Sequence, residues 1–169
     1  MKKLFLAIAG LSLSAAVPAQ DFLQQWRDSA AKGMAEFRDG HKATIEAGGW
    51  RFVGGTRSIE DVPISDVFVK SVKTEGGSVR SASFLNVLYV AVPESNVPEY
   101  RSTKMLVWID CASGGYEQRI LERYPTVDGT GIPGSREVER QESTLNGFPG
   151  ADAHTYEKPM LAAVCTTKS

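Results

Sequence analysis

The chain reads as an α+β fold: an antiparallel sheet of about five or six strands, an N-terminal helix, and a C-terminal helix linked to the sheet by a disulfide. Three observations carry this reading. Apolar residues recur at helical steps between Asp21 and Asp39. From Trp50 onward, runs of β-branched and aromatic residues alternate with glycine turns. The two cysteines of the chain, Cys111 and Cys165, end an apolar run and a short helical segment respectively, as a staple between sheet and C-terminus would.

The helix comes first. Leu23, Trp26, Ala30, Met34 and Phe37 fall three or four residues apart, with Arg27, Asp28, Lys32, Glu36 and Arg38 between them. Asp21 is placed to cap its start, and Gly40 suits the position just past its end. Gly33 inside it costs about 1 kcal/mol against alanine, so this helix depends on packing. His41 to Ala47 is ambiguous, and Gly48-Gly49 breaks it.

The strands follow. Trp50-Arg51-Phe52-Val53 alternates and stops at Gly54-Gly55, and Val67 to Val72 is rich in β-branched and aromatic residues. Thr74-Glu75-Gly76-Gly77-Ser78 closes a hairpin onto a long central strand, Val79 to Val92. Pro93 and Pro98, which have no N–H to donate, bracket a connecting loop. Arg101 to Cys111 and Tyr116 to Tyr124 face each other across Ala112 to Gly115, and the polar outgoing strand suits a wet face or a sheet edge. Residues 125 to 155 are loop-rich, with one short strand at Arg136 to Glu142. Pro159 opens a short helix that turns Met160, Leu161, Val164 and Cys165 toward the sheet.

The start of the chain sets the compartment. Lys2 and Lys3 precede an apolar stretch from Leu4 to Val17, and Val17-Pro18-Ala19 supplies the small residues of a signal-peptidase site, with cleavage after Ala19. Fourteen apolar residues (4 to 17) are short of the about 20 a membrane span requires. No cysteine follows the stretch, so no lipid anchor is expected, and no later segment reads as a span. Removing residues 1–19 leaves 150 residues, the size of one domain, with a formal charge of 17 − 20 = −3. That balance gives no reason to expect nucleic acid as a partner.

In an exported chain, two cysteines 54 residues apart (165 − 111) read as a structural bridge. A redox pair lies closer in sequence. Closing that loop stabilises the fold by roughly 4 kcal/mol in the chain-entropy model.

Catalytic chemistry finds little support. The two histidines, His41 and His154, are not spaced for zinc, and no Gly-x-Ser-x-Gly is present. His154 beside Asp152 reads as a solvated loop histidine, and Gly129-Thr130-Gly131 as a turn. Glu137, Glu139 and Glu142 interleave with Arg136 and Arg140 as on a solvated face, and Trp26, Trp50 and Trp108 read as core. Arg101, Lys104, Arg119 and Arg123 lie on two facing strands and form a candidate basic binding surface; cross-strand pairing with Glu117 and Glu122 is the plainer account.

Tyr100-Arg101-Ser102-Thr103-Lys104, Ile109-Asp110-Cys111, Tyr116-Glu117-Gln118-Arg119 and the terminal Ala163-Val164-Cys165 resemble the surface-adhesin protein E-like family. Trp50-Arg51-Phe52-Val53-Gly54 stands upstream in the same order, so the resemblance covers Gly48 to Cys165. It implies a small exported protein of Gram-negative bacteria with a C-terminal helix disulfide-linked to an antiparallel sheet. The expected organisation is a signal peptide (1–19), an N-terminal helical segment (20–47) and a protein E-like domain (48–169).

The expected function is that of a non-enzymatic, periplasmic or secreted envelope protein without a cofactor, whose partner is an envelope or host surface protein. The alternative is a periplasmic small-molecule binder or hydrolase with a pocket between the N-terminal helix and the sheet, suggested by Trp26, Met34 and Phe37 on one helical face.

Overall fold

The computed structural model describes residues 19–57, 61–94, 97–138, 141–144 and 157–166. The signal-peptide reading therefore lies outside the described residues except for Ala19, the first residue of helix α1 (Ala19–Gly40). Asp21 sits in the first turn of α1 rather than at its cap, where its charge still complements the helix dipole. Gly40 closes α1 from within. A bond from His41 N to Phe37 O (2.8 Å) carries the chain on into a short helix, α2 (Lys42–Ala47), which resolves the ambiguous stretch.

Seven strands form one sheet among the described residues: β1 (Arg51–Arg57), β2 (Pro63–Gly76), β3 (Val79–Glu94), β4 (Val97–Asp110), β5 (Gly115–Tyr124), β6 (Ser135–Glu137) and β7 (Gln141–Thr144). β1 to β5 pair in sequence order, all antiparallel, and β6 and β7 both pair with β5. Helix α3 (Glu157–Cys165) completes the fold. Pro159 falls in its first turn, where a missing N–H breaks no helical bond.

Several boundaries differ from the sequence reading. β1 runs through Gly54-Gly55, with a register shift between Phe52 and Gly54. A Cβ at Gly55 would lie 3.2 Å from Ser65 O, so the absent side chain lets β1 pair closely with β2 there. Pro93 and Pro98 lie inside β3 and β4 instead of bracketing a loop. The ladder is irregular at that end, shifting between Val87, Val92 and Glu94, and it tolerates residues without an N–H. The single strand expected at 136–142 is two short ones, and together they remove β5 from the sheet edge.

Alternation along the strands divides the core in two. One face buries Val67, Val69, Ala82, Phe84, Val107 and Ile109 beneath Met160, Ala163 and Val164 of α3. Arg51 on β1 donates to Ala163 O (2.8 Å) and ties α3 down from the side. Cys111 and Cys165 close the arrangement as a disulfide, their Cα atoms 5.6 Å apart. The opposite face buries Phe68, Leu85, Val87 and Tyr89 against Phe37 and Ile45, with Met34 beside them. Phe37 meets Phe68 edge-on at 6.0 Å between ring centroids.

Candidate functional site

Helix α1 approaches the sheet at Gly33, where an added Cβ would fall 1.8 Å from the backbone oxygen of Tyr89. The approach is backbone against backbone, and it seats Phe37 fully in the core. Arg38, one residue further along α1, donates to the Tyr89 hydroxyl, which itself donates to buried Asp66. Burial, then the Asp66 carboxylate, push the Tyr89 phenol far above its ordinary value. The face of α1 carrying Met34 and Phe37 is thus filled by sheet side chains, and a ligand pocket beneath those residues is not where this fold keeps its open space.

Among the described residues, only part of that sheet face is covered. α1 lies over β2 and β3, and the segment after β5 folds back over the neighbouring area. Ser102 Oγ donates to Thr126 O (2.7 Å), Lys104 Nζ to Gly129 O (2.6 Å), and Val127 enters the core. Asp128 Oδ1 accepts from the Thr130 amide (3.1 Å) and hydroxyl (2.7 Å), so Gly129-Thr130-Gly131 is turn chemistry, with positive φ at both glycines. Burial works to raise the Asp128 carboxyl, but these two bonds outweigh it and hold the group below its ordinary value.

The half nearer the β2–β3 hairpin stays uncovered by these elements. Register places Lys70 beside Ser83, Ser83 beside Leu106 and Leu106 beside Ile120 in one row, with Lys73, Ser81, Trp108 and Glu117 in another. Leu106, Trp108 and Ile120 are each half-buried, whereas Lys70 and Lys73 are exposed. A pocket of about 280 Å³ opens between Trp50, Lys70, Lys104, Leu106, Ile120 and Glu122. Trp50 packs against the core of this face and also borders open surface, Trp108 borders open surface, and Trp26 on α1 is likewise half-buried.

The four basic residues proposed from the sequence do not form one stripe. Thr103 pairs with Arg123 and Lys104 with Glu122, so Arg123 and Lys104 point to opposite faces. Arg101, two residues from Thr103, shares the Arg123 face; Lys104 lies on the α1 face. Arg119 is the extra residue of a bulge, because Leu106 pairs with Ile120 and Val107 with Gln118. The bulge lays its guanidinium over the Trp108 ring, 4.3 Å from the centroid, on the same face as Lys104.

Of the two acidic partners expected, Glu117 does pair with a basic residue, but within one strand rather than across two. Arg119 pairs with Glu117 (2.9 Å) along its own strand, and Arg123 pairs with Glu137 of β6. Glu122 accepts from the Tyr124 hydroxyl (2.7 Å) and lies 3.4 Å from Arg136 Nε. Burial and the Glu122 carboxylate push the Tyr124 phenol up to about 12.

Each pocket lysine is held twice. Lys70 Nζ donates to Gly48 O (2.6 Å) and lies 5.8 Å from the Trp50 ring; Lys104 lies 4.8 Å from the Tyr124 ring. Alternation could have separated Lys104 from Arg101, three residues away. The sequence reading missed Lys70, Lys73 and Trp50 as site residues because they come from distant elements. His41 is half-buried at the α1–α2 junction, and its charge acts on Asp128. His154 and Asp152 lie outside the described residues. Among the described residues, no three His, Cys, Asp or Glu gather as a metal would require, and no helix is long and apolar enough to cross a membrane.

Fold and surface together define a small domain: one antiparallel sheet with a helix on each face and a disulfide holding the C-terminal helix. The structure is similar to crystal structures of Haemophilus influenzae protein E. One, crystal form II, has 18% identity and a TM-score of 0.42, covering 68% of this chain and 91% of that chain. A second has 17% identity and a TM-score of 0.41, covering 69% and 89%, and a selenomethionine form has 16% and 0.41, covering 65% and 85%. No family model and no curated protein matches the chain.

Proposed function

We propose that this chain is a non-enzymatic, exported envelope protein that binds a protein partner of the envelope or host surface through the uncovered half of its α1-side sheet face. The observation that carries the reading is the half-exposed apolar patch of Leu106, Trp108 and Ile120, framed by Lys70, Lys73 and Arg119. Aromatic and arginine side chains at the centre of a patch, with lysines at its rim, are the composition of a protein-binding surface. Export is supported by the residue 1–19 pattern and by a disulfide that persists only where thiols oxidise.

The test is capture from envelope extracts and on matrix-protein arrays, with wild type beside Trp108→Ala and Arg119→Ala. The expected result is a discrete partner that wild type retains and both variants lose. Capture of nothing specific, or capture indifferent to both substitutions, would refute the reading.

A further inference from the structure

We infer that the pocket between Lys70 and Lys104 is a subsite for a small organic anion: a carboxylate or sulfonate carried on a flat or branched apolar body. The inference rests on the preceding reading in taking this sheet face as the working one, and it adds the chemistry of what binds there. The floor is apolar, built from Leu106 and Ile120, and the Trp50 indole forms one wall. The two ammonium groups stand at its sides, brought there by β2 and β4 with the Ser83 hydroxyl between the strands.

Strand spacing sets their separation. Two strands at about 4.8 Å and an offset of two residues place the lysine Cα atoms roughly 12 Å apart, so their long side chains reach one anion from opposite sides. Among the described residues, no carboxylate lies within ion-pair distance of either ammonium. Each donates one bond to a backbone carbonyl, at Gly48 and Gly129, and keeps donors in hand. These tethers and the Trp50 and Tyr124 rings hold the lysines in place before a ligand arrives, which lowers the ordering cost of binding.

The one acid at the rim, Glu122, is already engaged by the Tyr124 hydroxyl and by Arg136, so it repels an anion less than a free carboxylate would. A volume of about 280 Å³ suits a ligand at the small end of those that protein pockets take.

The experiment uses two naphthalene probes that differ in charge, anionic 8-anilinonaphthalene-1-sulfonate and uncharged N-phenyl-1-naphthylamine, with fluorescence titration of the folded protein. Lys70→Gln and Lys104→Gln are the test variants, because glutamine keeps a donor for the Gly48 or Gly129 carbonyl while removing the charge. Lys32→Gln, on the exposed surface of α1, is the control. Melting curves of all three confirm that they fold.

The expected result is saturable binding of the anionic probe that each test variant weakens by about tenfold and the control leaves unchanged, since a charge-assisted hydrogen bond is worth about that much. The uncharged probe should bind weakly and respond to neither lysine. Anionic binding that ignores both lysines, equal binding of the two probes, or no binding would overturn the assignment. The two readings fail separately. Lysine-dependent probe binding with partner capture indifferent to Trp108→Ala refutes the protein-binding reading and leaves the pocket, and the converse leaves the face without this subsite.

Discussion

Replacing Gly33 with alanine separates two opposed effects on α1. In an isolated helix the change is favourable by about 1 kcal/mol, because glycine has more backbone freedom to lose. In this fold the new Cβ would stand 1.8 Å from Tyr89 O, 2.7 Å from its carbonyl carbon and 3.2 Å from its Cα. Ordinary contact begins at 3.4 Å, so helix and strand must separate by about 1.6 Å (3.4 − 1.8) at this point. The atoms in the way are backbone of a central strand and cannot rotate aside. Separation lifts Phe37 from its contacts with Phe68 and Tyr89 and loosens the Arg38–Tyr89 bond.

Overpacking of this kind typically costs about 1–3 kcal/mol, and full loss of a buried phenylalanine about 3–5 kcal/mol, so the clash outweighs the propensity gain. Gly40→Ala is the internal control: it lies in the same helix, and an added Cβ there meets nothing within 4 Å. Urea unfolding of the three proteins should show Gly33→Ala less stable than wild type by about 1–3 kcal/mol. Gly40→Ala should be equal or more stable by up to about 1 kcal/mol. A Gly33→Ala protein as stable as wild type would show that α1 does not dock in this way.

Three further outcomes are expected. Cys111→Ser or Cys165→Ser should lower stability by about 2–5 kcal/mol and make the C-terminal segment accessible to protease, and equal melting of variant and wild type under oxidising conditions would refute the staple. Tyr89 and Tyr124 have raised folded-state values, so their contribution to stability is complete below pH 10.0 and is lost as pH rises through those values. An ultraviolet phenolate titration should therefore find Tyr124 ionising late, near 12, and Tyr89 ionising only together with alkaline unfolding.

Asp110 accepts from the hydroxyls of Ser78 and Ser113 and from the Ala112 amide, which hold its carboxyl below the ordinary 3.8. The stability it contributes is present above 3.8 and is lost as pH falls through the lower folded value. Asp110→Ala should therefore narrow its stability gap to wild type in acid; a gap constant down to the acid limit would count against the role.

Much of the architecture was legible in local pattern. Period-three-to-four spacing marked α1 from Leu23 to Phe37, and β-branched runs with glycine turns marked β2 to β5 in the right order. The site was less so. Arg119 and Arg123 are four residues apart on one strand, and simple alternation puts both on one face. One extra residue at the β5 bulge turns Arg119 to the other, because a shift of one residue reverses every side chain beyond it. Nothing in the identity of Arg119 announces that bulge.

The sequence by itself determined the β2–β3 and β4–β5 hairpins, the helix at each end, and the pairing of Cys111 with Cys165, since each depends on near neighbours or on there being two cysteines in all. The tertiary structure decided what Gly33 is for, how far α1 reaches across the sheet, and that Lys70 and Lys104 border one pocket with Trp50. Those facts depend on register and on backbone approach between segments far apart in the chain, which residue type and local spacing do not encode.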